Sequence, residues 1–452
     1  MRPSGTDDRI DIGEVMDHGP WSPMQRIVVM LAALAIVMDG FDSQLIGFAI
    51  PVLIKEWGVT RADFAPVVAL GLIGMGVGSV LAGYVGDRLG RRSAVIGSVL
   101  VFGSATVAIG FAPNLTMLGL LRFIAGLGIG GAMPSATIMA GEYTPLRYRT
   151  LAVTAAIVCV PVGGMIAGLF ASEVLPALGW RALFLIGGAM PVVLGAILLF
   201  VLPESPRWLS RHPLRWPELV GLLRRMKRTA SDGAGFIDPL EEKSERSVGI
   251  AALFQDGRAR GTTAIWIALF LCLLAVYTTF SWLPTMLTTE GLSVSVAGSG
   301  LTAYNLGGVF GALLCALAIG RFGSRWPMIA CAAAAAASAL WLQNVDIVGN
   351  TALLIFGLGV HGLFVNAVQS TLYAVITQMY PTRFRATGTA TGLAFGRTGA
   401  ILSAFVGAAV ITAGGADAYL QVLGFSMAGV GVALIVFDRH IAPAARRATS
   451  GR

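Results

Sequence analysis

Apolar segments long enough to cross a lipid bilayer recur along this chain, at roughly 27–50, 64–85, 93–112, 115–140, 151–173, 182–202, 263–287, 297–319, 327–343, 351–376, 387–412 and 418–437. A helix rises about 1.5 Å per residue, so about twenty apolar residues cover a hydrocarbon core about 30 Å thick. Lipid offers the backbone no hydrogen bonds, so each segment must satisfy its own as a helix. The expectation is an all-α membrane protein with twelve transmembrane helices. Composition agrees: 56% of residues are hydrophobic and only 12% charged, and mean hydropathy is +0.77, whereas charged residues approach a quarter of a soluble domain. Glycine supplies 58 of 452 residues, and small residues let helices approach closely in lipid.

The net charge of +8 is not the footprint of a nucleic-acid binder, because the basic residues cluster between the apolar runs. With both termini placed in the cytoplasm, inside segments hold 27 of the 32 Lys and Arg. Outside segments hold Lys55, Arg61 and Arg181, and Arg122 and Arg397 fall within spans. The positive-inside rule therefore predicts both termini cytoplasmic. The implied division is a tail (1–26), a six-helix bundle (27–202), a cytoplasmic loop (203–262), a second bundle (263–437) and a tail (438–452). The basic loop is expected to carry one or two short amphipathic helices and to be mainly a solvated inside loop, although its charge would also suit anionic lipid headgroups. The polar N-terminus lacks the charged start and cleavage pattern of a signal peptide. Cys159, Cys272, Cys315 and Cys331 lie in apolar spans without metal-ligand spacing, so packing is their expected role.

The halves repeat. GDRLGRRSAVI at 86–96 aligns with IGRFGSRWPMI at 319–329, and YTPLRYRT at 143–150 with MYPTRFRA at 379–386. At the first of these offsets Gly74 and Gly78 fall on Gly307 and Gly311. Two pseudo-symmetric six-helix bundles enclosing a midplane site follow from such duplication.

Asp39 and Asp42 interrupt the first apolar run. A carboxylate there costs several kcal/mol, so a pair marks a working proton or ion site. Three residues apart, they share a helix face. Counting about 1.5 Å per residue, Asp39 lies about 18 Å from the inside start of its span, Arg122 about 10 Å from the outside start, and Arg397 and His361 about 15 Å from the starts of theirs. These groups gather near mid-depth. A buried guanidinium needs an anion, and a planar carboxylate accepts its fork bidentately. Arg397 is thus a candidate for a substrate carboxylate and Arg122 for an aspartate of the first span, against the plainer reading of two structural ion pairs. His361 suits proton relay or simple packing equally. Asn305, Asn366 and Gln369 bring amides to membrane depth, and Tyr277, Phe280, Trp282 and Tyr304 offer aromatic faces.

GYVGDRLGRR, Gly83 to Arg92, resembles the loop signature of the major facilitator superfamily, and RFIAGLGIGGAMP at 122–134 resembles its fourth-span arginine motif. In the second copy of the loop signature Gly320 stands where Asp87 would be expected. PESPRWL at 203–209 resembles a segment of sugar porters and several relatives. DGFD at 39–42 resembles the first-span signature of the aromatic acid:proton symporters, as do AGEYTPLRYR (140–149), NAVQSTLY (366–373), YPTRFRATG (380–388) and GRTGAI (396–401). The resemblance implies the major facilitator fold and proton-coupled import of an aromatic carboxylate of the benzoate, hydroxybenzoate or protocatechuate class across a bacterial inner membrane. On that pattern Asp39 and Asp42 couple protons. Arg122, Arg397, His361, Asn305, Asn366, Gln369, Tyr304 and Tyr277 are the substrate-binding candidates. Asp87, Arg88, Arg91, Arg92, Glu142 and Arg147 are the gating candidates. Other cargo (a sugar, a non-aromatic organic acid or, from PVGG at 161–164, a drug) and a non-transporting sensor are the alternatives. The spans hold no metal cluster or nucleophile and base set, so no enzyme, cofactor or metal is expected. Membrane lipids surround the chain, and the resemblance implies a monomer.

Overall fold

The computed structural model describes residues 9–228, 235–238, 250–255, 257–380, 382–441 and 443. Among these, ten helices are long and apolar enough to cross a membrane. Two of the ten run to 56 and 55 residues, and each breaks at glycine. At about 1.5 Å per residue either one is long enough for two crossings. The spanning helices are α1 (Pro23–Trp57), α2 (Arg61–Arg88), α3 (Arg91–Ile109), α4 (Leu115–Tyr143), α5 (146–178) and α6 (180–201), the last two parted at Gly179 with φ 78°. The second half has α7 (Ala259–Thr289), α8 (Val294–Phe322), α9 (Arg325–Leu342), α10 (Thr351–Met379), α11 (382–413) and α12 (416–436), the last two parted at Gly414 and Gly415. Each expected apolar run lies within one of these helices or ends within a residue or a few of it. The helices exceed the runs because polar caps extend them. Ser22 and Gln25 form a reciprocal capping box at the start of α1, and Thr60 and Asp63 do the same for α2.

The repeat is visible as packing. On α2, a Cβ at Gly74 or Gly78 would strike the carbonyl of Phe123 or Leu127 on α4. On α8, a Cβ at Gly307 or Gly311 would strike the carbonyl of Gly359 or Leu363 on α10. Glycine at those four positions lets backbones touch where lipid provides no hydrophobic drive between helices. The outer hairpins also match. Glu56, at the end of α1, accepts from Trp180 Nε1 (2.7 Å) and Arg181 (3.0 Å) beside the α5–α6 break. Glu290, following α7, accepts from the Ala416 N–H (3.0 Å) beside the α11–α12 break. Large apolar side chains face outward, Phe200 being 89% exposed, as lipid requires.

The N-terminal segment is tied down. Arg9–Asp11 pairs in parallel with Gly235–Ile237 of the central loop, and Asp11 caps the short helix Ile12–Asp17. Asp17 then pairs with Arg149 and, at 3.7 Å, with Arg207. Arg207 also reaches Asp238 at 3.4 Å. The expected amphipathic elements of the loop are Pro206–Ser210 and Trp216–Arg225. Much of the remaining loop and the end of the C-terminal tail lie outside the described residues.

Candidate functional site

Between the halves lies a cavity of about 100 Å³, of the same order as the ~150 Å³ apolar voids that accept a benzene ring. The first half supplies Asp39 and Ser43 from α1, with Met75, Met133 and Pro161 from α2, α4 and α5. The second half supplies Tyr277 and Phe280 from α7, Asn366, Gln369, Ser370 and Tyr373 from α10, and Arg397 from α11. Its wall is mainly apolar and aromatic, with one carboxylate and one guanidinium. Asp39 and Arg397 face each other across the halves, and Arg397 also stands against Tyr277.

A second pair stands behind the first. Asp42, one helical turn along α1, is fully buried and faces Arg122 of α4, with the Thr106 hydroxyl beside it. The Arg122 guanidinium lies alongside Gly71 of α2. Neither residue of this pair lines the cavity. Among the described residues, Asp39 Oδ1, both Asp42 carboxylate oxygens, Arg122 Nε and Nη1, and Arg397 Nη1 are buried without a hydrogen-bond partner. Orphaned buried charges of this kind are costly, and a site that binds and releases charged species is where such a cost persists.

Other expected residues separate into lining and supporting ones. Asn366, Gln369 and Tyr277 line the cavity. Asn305 does not; it exchanges two hydrogen bonds with Gln44 of α1, at 2.8 and 3.2 Å, and so joins the halves. Tyr304 is packed behind Phe280, ring centroids 6.0 Å apart. His361 is buried one layer further, with Nδ1 3.0 Å from Ser338 Oγ and 3.1 Å from the Ala335 carbonyl. A carbonyl only accepts, so that contact assigns the ring proton to Nδ1. Around Gln44 the halves also meet at Gly47 against the Phe280 carbonyl and Gly168 against Gly298 and Thr302, and Arg61 at the start of α2 donates to Thr289 at the end of α7 (2.8 Å).

At the opposite face, three of the gating candidates, Asp87, Arg92 and Glu142, meet the PESPRWL segment, which the sequence alone marks only as a family string. Asp87 pairs with Arg91 at 2.7 Å. The Asp87 carbonyl accepts from Trp208 Nε1 at 3.0 Å. Glu204 accepts from the Arg92 N–H (2.9 Å) and the Ser205 N–H (2.8 Å), so it caps α3 from outside that helix. Gly90 turns the chain there with φ 98°, and any Cβ would collide with the Glu204 carboxylate. Burial pushes the Glu204 carboxyl above its ordinary range, opposed by those two N–H groups. Tyr143 donates to the Glu204 carbonyl (2.6 Å), and Ser205 donates to Glu142. Arg88 and Arg147 lie apart, over the rings of Tyr84 and Tyr148 at 4.4 and 4.6 Å. In this corner it is Arg149, not Arg147, that reaches a carboxylate, that of Asp17.

Sequence reasoning therefore missed Gln44, Tyr373, Arg149 and Glu204 as site or gate residues. Two carried a signal. Gln44 is a buried-depth amide two residues beyond Asp42, and Tyr373 closes the quoted string NAVQSTLY.

The chain matches the Major Facilitator Superfamily over residues 32–297 and 265–451. It is 32% identical to the gallate transporter of Pseudomonas putida, covering 90% of each chain. It is 33% identical to the 4-hydroxybenzoate transporter PcaK of Pseudomonas aeruginosa, covering 90% of this chain and 91% of that one. Among solved structures it resembles the crystal structure of a D-xylose-proton symporter, with a TM-score of 0.68 at 18% identity, over 93% of this chain and 98% of that one.

Proposed function

We propose that this chain, which belongs to the major facilitator superfamily, imports an aromatic carboxylate together with protons across a bacterial inner membrane by alternating access. The observation that carries the reading is Asp39 facing Arg397 across a cavity of aromatic-ring size that both halves build. The relatives printed as gallate and 4-hydroxybenzoate transporters support the cargo class.

The substrate carboxylate takes the Arg397 fork, which frees Asp39 from its counter-charge. Asp39 then accepts a proton, since an unpaired anion at mid-membrane is held against solvation. The ring packs among Tyr277, Phe280 and Tyr373, with the thioethers of Met75 and Met133 at its edge. Gln369, Asn366 and Ser370 supply donors and acceptors for ring hydroxyls. With anion paired and aspartate neutral, the loaded site carries no net unpaired charge and the halves can rock. Asp42 and Arg122 face each other in the first half and keep the field around Asp39 fixed. Both termini face the cytoplasm, the side where Asp87, Arg91 and Glu204 gather. There Asp87 can exchange its partner Arg91, at the start of α3, for the second half as the inner gate closes.

Reconstitution in proteoliposomes tests this. Labelled 4-hydroxybenzoate, protocatechuate and benzoate should accumulate against a gradient when the outside is acidic, and collapse with a protonophore, while a hexose should not accumulate. Uptake indifferent to the proton gradient rejects the coupling, and hexose accumulation rejects the cargo.

A further inference from the structure

A second cavity, of about 200 Å³ and almost wholly apolar, opens between α1 and α5 near the end of the bundle that carries the N-terminus. Val29, Ala33, Ala140, Leu151, Ala152 and Ala155 line it. On α5 the groove residues 148, 152 and 155 lie roughly half a turn around from Ile157, Val160 and Pro161, which face the central cavity. The groove therefore opens away from the transport path. Leu151 is 67% exposed there, on the lipid-facing side.

Its mouth is chemically distinct from its walls. Trp21 stacks on Tyr148 with ring centroids 5.3 Å apart. A guanidinium lies over each ring of the pair, Arg26 at 5.6 Å from the Trp21 ring and Arg147 at 4.6 Å from the Tyr148 ring. Among the described residues no carboxylate pairs with either arginine, while the nearby Asp17 is committed to Arg149 and Arg207. Trp21 Nε1 is buried beside the groove with no acceptor among the described residues. Trp21 and Tyr148 line the alanine-walled slot, so two cations with no carboxylate among the described residues and one unused donor stand at its mouth. Aromatic rings and snorkelling arginines of this kind belong at headgroup depth.

We propose that this groove holds one acyl chain of an anionic glycerophospholipid, with its headgroup at the mouth, where Arg26 and Arg147 flank the Trp21–Tyr148 stack, and an ester or phosphate oxygen accepting from Trp21 Nε1. Assigning it to the inner leaflet rests on the proposed orientation of the termini; the site itself does not. The occupant is argued from charge: a zwitterionic headgroup would bring its own cation to a mouth that already holds two. It also gives a role separate from the gate to Arg147, which lies over the Tyr148 ring.

Native mass spectrometry of the full-length protein, released from neutral detergent, reads this directly. Titrated with phosphatidylglycerol and with phosphatidylcholine of the same acyl chains, the protein should retain one phosphatidylglycerol tightly and phosphatidylcholine weakly. Each basic residue at a membrane surface contributes about fivefold. Arg26→Ala with Arg147→Ala should therefore weaken the adduct about 25-fold, and the paired Lys substitutions should restore most of it. Ala155→Phe, at an exposed position, should block the chain and weaken retention with both arginines intact. Glycerophosphoglycerol and inorganic phosphate should compete poorly. Equal retention of the two lipids, an unchanged adduct in the double Ala variant, or competition by the chain-free headgroup at matched concentration would each overturn the proposal. The readout is binding, so it stands whether or not aromatic acids are the cargo.

Discussion

The two halves share a frame and differ in what the frame carries. Gly74 and Gly78 press α2 against α4 just as Gly307 and Gly311 press α8 against α10, and Glu56 and Glu290 brace matching hairpins. Yet the first half buries Asp39, Asp42 and Arg122, while the second offers the cavity one guanidinium, Arg397, among tyrosines and amides. Even the position equivalent to Arg397 on α5, at the offset of the 143–150 repeat, is Pro161, which lines the same cavity. Duplication thus set the geometry, and departures from duplication set the chemistry. A symmetric site would put like charges opposite each other; this one sets an acid against a base across the plane where the halves part.

The sharpest break of that comparison is at the cross-half pair. Arg397→Ala should lower uptake of the aromatic acid about 100-fold or more at unchanged protein level, since two charge-assisted hydrogen bonds of about 1.5–3 kcal/mol each are lost. Asp39→Asn should abolish accumulation against a gradient yet leave counterflow of internal for external substrate; loss of counterflow as well would make Asp39 a binding residue instead. The first-half pair should respond differently. Arg122→Ala removes the charge facing Asp42 and should lower the melting temperature in detergent, by less than the ~3–5 kcal/mol that breaking a bonded buried pair costs, and Asp42→Asn added to it should recover much of the loss. Should Arg122→Ala melt like the parent, the two pairs are not divided as structure and function.

The shared frame yields the next effect. Gly78→Ala and Gly311→Ala should each destabilise by about 1–3 kcal/mol, by overpacking against a backbone carbonyl, and by similar amounts. A large difference between them would show that the repeat does not extend to packing energetics. Smallest is a pH effect at the segment that caps α3 of the first half. The Glu204 carboxyl is raised above its ordinary value of 4.5 when folded. A folded-state acid with raised affinity for its proton favours folding as pH falls from neutrality toward that ordinary value. The melting temperature of the parent should therefore rise relative to Glu204→Gln over that interval, and parallel curves would remove burial as the dominant influence.

Most of the frame was legible because lipid imposes a length and a polarity on each crossing, and because the breaks at Gly179 and at Gly414–Gly415 fall between two apolar runs. Asp39 and Arg397 were legible as charges that oil does not otherwise tolerate. The pairing of Arg9–Asp11 with Gly235–Ile237 was not, since three-residue strands carry no periodicity and their partner lies far along the chain. Glu204 was hidden for a related reason: its motif marks kinship, while its task, capping a helix begun over a hundred residues earlier, exists only in three dimensions. His361 looked promising by depth alone, but depth does not reveal that Ser338 and Ala335 occupy one of its nitrogens.

The clasp between Gln44 and Asn305 is electrically neutral. A transmembrane voltage works on charge that moves, about 2.3 kcal/mol per elementary charge per 100 mV, and amides do not titrate. Neither part of a proton-motive force therefore has a grip on that clasp. Parting it is a wetting event, two amides trading each other for water, so energisation of the membrane reaches it only through charges carried elsewhere on the same helices.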